Sequence, residues 1–151
     1  MLKPVASGLQ SCAGLVLIQF EVDLMLSASN DPSSFCDWSD FIDSANVRDA
    51  FAFLVGLAAG SGTYNCKTQW KGAVRDFRFY DAGEQQPFSF ITNKKSLKFY
   101  FRKPSLKYGC VKRQDIAAAF DTFSENPAGE YTVSLHDIND VLKLRAFVPA
   151  L

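Results

Sequence analysis

The residues best equipped for chemistry lie between positions 67 and 113, and their types suit binding an anion better than breaking a bond. Twelve basic residues fall in this stretch against three acids, Asp76, Asp81 and Glu84. Residues 1–66 hold two basic residues against seven acids, and residues 114–151 hold two against six. The formal charge of the whole chain is zero and hides this asymmetry. Within the basic stretch, Lys98-Phe99-Tyr100-Phe101-Arg102-Lys103 interleaves cations with aromatic rings. Phosphates are neutralised by Lys and Arg, and unpaired bases stack on flat rings. Arg75, Arg78, Lys94, Lys95, Lys98, Arg102 and Lys103 are therefore candidate phosphate contacts, and Tyr80 and Tyr100 candidate stacking or hydrogen-bonding groups. If about five phosphates were neutralised, affinity would fall with salt at a log–log slope near −4 to −5. A wet sheet face also needs polar residues for ordinary reasons, and Lys guards strands against edge-to-edge association. The glycines of the RRM signature are missing from the segment.

Catalytic groups are sparse. The single histidine, His136, must serve any Ser-His or Cys-His pair, yet it stands beside Asp137 at an expected strand-to-helix junction, where a solvated or capping role is commoner. Ser61–Thr68 ends in Lys67-Thr68 as a phosphate loop does, but Ser61 and Cys66 occupy the places of both glycines. There is no Gly-x-Ser-x-Gly elbow. Two carboxylate groupings, Glu21 with Asp23 and Asp76 with Asp81 and Glu84, are open to a divalent cation, and neither has a spacing that specifies one. The four cysteines, Cys12, Cys36, Cys66 and Cys110, lack the close pairs of a zinc site. They read as small apolar side chains in a reducing compartment, so a cytoplasmic location is expected. No cofactor or metal is expected.

These residues imply a non-catalytic binding protein that uses a basic, tyrosine-bearing sheet surface (about residues 67–113) to engage an anionic partner, nucleic acid first. The alternative is a small interaction or inhibitor protein, of the immunity or phage anti-defence type, whose basic surface meets an acidic protein patch or masks a nucleic-acid site. A metal-dependent nuclease or phosphodiesterase is the third reading. The charge asymmetry is also compatible with a homodimer. No apolar run reaches the length of a membrane span, and no leader is expected.

The elements that must position these residues follow from periodicity. A length of 151 residues, with 48% hydrophobic and 21% charged, fits one globular domain, 1–151, with 1–14 as an N-terminal arm. Residues 15–26 alternate as a strand with one wet face. Ser34 with Asp37 resembles a cap for a short helix to about Asp43, and Asn46 with Asp49 a cap for a second. The second carries Val47, Phe51, Leu54, Val55 and Ala58 on one face and stops at Gly60 and Gly62. Strands are expected at Val74–Tyr80, Phe88–Ile91 and Ser96–Arg102, joined by turns at Asp81–Glu84 and Thr92–Lys95. Phe77, Phe79, Leu97, Phe99 and Phe101 face one way, and Arg78, Tyr80, Lys98, Tyr100 and Arg102 the other. A helix through Ile116–Phe123, a strand at Tyr131–Leu135 and a helix capped by Asp137 complete the chain. The order β-α-α-β-β-β-α-β-α predicts an α+β fold: an antiparallel meander with helices packed on one face.

Overall fold

Alternate phenylalanines decide the architecture. The computed structural model describes residues 33–151. Its elements are α1 (Ser33–Phe41), α2 (Ala45–Gly60), β1 (Asn65–Lys71), β2 (Val74–Tyr80), β3 (Phe88–Thr92), β4 (Leu97–Phe101), a 3-10 turn (Lys103–Lys107), α3 (Arg113–Ala119), β5 (Ser124–Glu125), β6 (Tyr131–Leu135) and α4 (Ile138–Leu144). The fold is α+β, as the patterning predicts. Its six-stranded sheet runs β1-β2-β3-β4-β6-β5, and every pairing is antiparallel.

The register lines up Phe77, Phe90, Phe99 and Val133 in one row, and Phe79, Phe88, Phe101 and Tyr131 in the next. The six phenylalanines are each at most 1% exposed. Phe77 stacks on Phe90 with centroids 4.9 Å apart, while Phe88 and Phe101 meet edge-to-face at 5.9 Å. Such pairs each add about 0.5–1.5 kcal/mol beyond the area they bury. The helices close over this face. Phe51 of α2 lies edge-on to Phe90 at 6.1 Å and stacks on Phe35 of α1 at 5.1 Å. α4 runs along α2 and buries Val141 and Leu144. Every described helix sends its buried apolar residues into this one core. Tyr64 anchors the chain end by donating its hydroxyl hydrogen bond to the Pro149 carbonyl at 2.8 Å.

Several local expectations change. The strand expected over 15–26, the arm 1–14 and the Glu21–Asp23 pair lie outside the described residues. The second helix begins at Ala45, with Ser44 as its extended N-cap, rather than at Asn46. The backbone tie from Asp43 N–H to the Lys94 carbonyl, 2.8 Å, fixes where the chain must turn into it. The helix expected to reach Phe123 ends at Ala119 because Phe120 is extended. Phe123 instead packs on Tyr131 at 5.5 Å, at the start of the short strand β5. Asp137 does cap α4, accepting from Asp140 N–H at 3.0 Å, while Asp140 accepts from His136 N–H at 3.0 Å. β1 was not foreseen. It pairs with β2 across the two-residue turn Gly72-Ala73, and Gly72 takes the left-handed φ of 62° such turns demand.

Replacing Phe90, which three other rings surround, should empty the centre of the core. Phe90→Ala is expected to cost about 3–5 kcal/mol, read as a lower urea midpoint with the slope unchanged.

Candidate functional site

Period 2 puts a second set of side chains on the reverse of the phenylalanine face. One row crosses the sheet through Lys67, Arg78, Ser89, Tyr100, Thr132 and Ser124. A neighbouring row holds Gln69, Asp76, Ile91, Lys98 and Ser134. On the other side Asn65 faces Tyr80, and Arg102 donates its N–H to the Pro87 carbonyl at 2.9 Å, which extends that row to β4. Four groups thus form a checkerboard on β2, β4 and the residue that follows β4. Arg78 and Tyr100 share one row, and Tyr80 and Arg102 the next.

The arginines and lysines of this face differ in their electrostatics. Arg78 Nε lies 2.7 Å from Asp76 Oδ2, and their side chains are 24% and 12% exposed. Burial pulls the Arg78 pKa down, but hydrogen bonds to Tyr80 and Asp76 and the Asp76 charge outweigh it and leave it above its ordinary value. Arg102 Nε lies 3.0 Å from Glu130 Oε1. Both arginines are locally neutralised. Lys67 and Lys98 are exposed and have no carboxylate within 4.0 Å among the described residues. Lys67 Nζ lies instead 5.0 Å from the Tyr80 ring centroid, and Lys98 Nζ 5.5 Å from that of Tyr100. The Arg102 guanidinium carbon is 5.9 Å from the Tyr100 ring. Both tyrosines are half-buried.

Of the nine candidate residues, the structure brings Arg78, Tyr80, Lys98, Tyr100 and Arg102 together on this face. Lys103 stands exposed at its rim, at the start of the 3-10 turn, and Lys95 is exposed in the β3–β4 turn. Two belong elsewhere. Arg75 shares the parity of Phe77, and its guanidinium carbon lies 3.5 Å from the Phe41 ring centroid on the helix side. Lys94 leans the same way, 3.9 Å from Asp43 and 5.8 Å from the Phe41 ring. Lys67, absent from the candidates, belongs to the face. Its signal was the alternation of Lys67, Gln69 and Lys71 with Cys66, Thr68 and Trp70 just before a two-residue turn.

The carboxylates near the meander have other partners. Asp76 holds Arg78, and Asp81 Oδ1 accepts from the N–H groups of Gly83 and Gln85, both at 2.9 Å. Among the described residues no three His, Cys, Asp or Glu side chains converge on a metal-sized site. His136 is exposed, with Nδ1 3.8 Å from Asp140. A cleft of about 250 Å³ lies between the first turns of α2 and α4, lined by Asn46, Asp49, Asp137, Ile138 and Asn139. It contains no nucleophile paired with a base. None of the described helices is long and apolar enough to cross a membrane. No protein-family model matches the chain, and no curated protein or solved structure is significantly similar to it.

Edge strand β1 is secured from beneath by Cys66, whose thiol burial pushes up from 9.0 to about 12, and by Tyr64, whose phenol burial also raises. Both groups are neutral in the fold and lose protons more readily once unfolded. Their stability contribution is whole below the unfolded thiol value and drains as pH climbs toward the folded one. Unfolding free energy should therefore fall above about pH 9, by up to about 1.4 kcal/mol per pH unit from Cys66 alone. Urea midpoints between pH 8 and 11 should show this loss, and Cys66→Ala should flatten the profile.

Proposed function

We propose that the protein is a non-catalytic binding protein whose polar sheet face engages nucleic acid. The observation that carries this reading is the pair of lysine–tyrosine couples on one sheet face. Two cations with no carboxylate partner among the described residues, Lys67 and Lys98, stand beside two half-buried rings, Tyr80 and Tyr100. Phosphate contacts need mobile, unneutralised cations, and bases need exposed π surface. Lys103 at the rim supplies a third cation. Arg78 and Arg102, already paired, hold the tyrosines in place more than they contribute charge. The free thiols of Cys66 and Cys110 suit a reducing compartment and thus a cytoplasmic location.

This distribution of charge lowers the salt dependence expected from the sequence. Three phosphate contacts give a log–log slope of roughly −2 to −3, not −4 to −5. Fluorescence polarisation with labelled oligonucleotides between about 50 and 200 mM salt measures it directly. Lys67→Ala and Lys98→Ala should each make the slope shallower by about 0.7–0.9. Asp76→Asn keeps an acceptor for Arg78 while removing the charge, so it should steepen the slope by a similar amount. A flat salt dependence overturns the reading and turns the search to protein partners of the same face.

A further inference from the structure

We infer that the occupant of this face is a single strand, unstacked across the diagonal from Tyr80 to Tyr100, and not a duplex. The inference rests on the nucleic-acid reading above and adds the class of ligand. It follows from the checkerboard. Tyr80 and Tyr100 lie on β2 and β4, two strand spacings apart, and their rows are offset by two residues. Standard sheet geometry then separates their Cα atoms by about 12 Å. Bases stacked within a duplex strand are only about 3.4 Å apart along its axis. Two neighbouring bases cannot occupy both rings and remain stacked on each other. A strand that uses both rings must be opened, which a free strand does at little cost and a duplex does only by losing pairing.

The shape of the face agrees. Ser89, between Arg78 and Tyr100, is 1% exposed, and Pro87, between Tyr80 and Arg102, is buried as well. The centre of the checkerboard is therefore made of small side chains that lie beneath the larger ones around them, Arg78, Tyr80, Tyr100 and Arg102. Readout of a duplex through its major groove uses an inserted helix or two-stranded ribbon. Every described helix packs on the opposite face. The lysines fit the same ligand. Each sits by a ring at 5.0 or 5.5 Å, an arrangement worth little at an exposed site. A base can take the ring while the ammonium swings to the adjoining phosphate, so one ligand unit satisfies both members of the couple.

The test is fluorescence polarisation at about 50 mM salt with labelled oligothymidine, oligouridine and a mixed-sequence duplex, each of about 12 units. Both single strands should bind more tightly than the duplex, and the ratio between them tells DNA from RNA as the source. Tyr80→Leu and Tyr100→Leu keep apolar bulk but remove the flat ring. Each should weaken single-strand binding about 5- to 140-fold and leave duplex binding unchanged. Tyr100→Phe should retain it. Far-UV circular dichroism of each variant confirms that the sheet is intact. Duplex binding as tight as single-strand binding overturns the inference. So does single-strand binding that survives both Leu variants yet weakens in Lys67→Ala and Lys98→Ala, a result that leaves the nucleic-acid reading standing. Absence of binding to all three probes overturns both.

Discussion

Packing of six phenylalanines on β2, β3 and β4 is the constraint from which the rest follows. Their rows fix the register of the central strands, because a slip by one residue would turn every ring to the wrong face. The same register dictates what stands on the reverse. Arg78 must share a row with Tyr100 because Phe77 shares one with Phe90 and Phe99. The checkerboard of the polar face is thus the imprint of the aromatic core. It sits on a rigid sheet rather than on loops, so its spacing is as well determined as the core's.

The polar face also had to avoid self-repulsion. Twelve basic residues within one stretch of chain would oppose each other if all projected together. The fold disperses them in two ways. Arg75 and Lys94 are turned to the helix side, where Phe41 and Asp43 receive them. Arg78 and Arg102 stay on the face but are matched by Asp76 and Glu130. The planar guanidinium suits such fixed, partly buried pairing, while the ammonium of lysine keeps its hydration and mobility. The division between positioning arginines and free lysines follows from that chemistry.

Much of the fold was legible because its strongest signals are local. Val74–Tyr80, Phe88–Ile91 and Tyr131–Leu135 alternate large apolar residues with polar ones, and they became β2, β3 and β6 with little change in their ends. Asp137 declared the start of α4 by accepting from Asp140 N–H, while the Asp140 carboxylate accepts from His136 N–H. β1 was hidden because Cys66 and Thr68 are weak markers of a buried face, and because Gly60 and Gly62 drew the reading toward a loop. α3 was drawn too long because Phe120 and Phe123 keep helical spacing, although Phe120 leaves the helix extended and a turn carries the chain to Phe123, so that the two rings meet Phe147 and Tyr131. The site was half legible. Alternation gives the face of Arg78, Tyr80, Lys98, Tyr100 and Arg102, but says nothing of which cations are already neutralised. That depends on Asp76, two residues away on the same face, and on Glu130, which reaches Arg102 only once β6 lies beside β4.

The position of β6 therefore has an electrostatic consequence as well as a topological one. A simple meander would have left β4 as an edge strand, with Arg102 unpaired and Tyr100 open along one side. Because the chain crosses through the 3-10 turn and α3 before returning as β6, Glu130 arrives opposite Arg102 and Thr132 opposite Tyr100. Arg102 is neutralised and Tyr100 gains a lateral wall. Lys98 faces Ile91 on β3 and Ser134 on β6, neither of which can pair with it as a carboxylate would. One crossover thus decides that Arg102, just past β4, positions a ring while Lys98 on β4 remains free to meet a ligand.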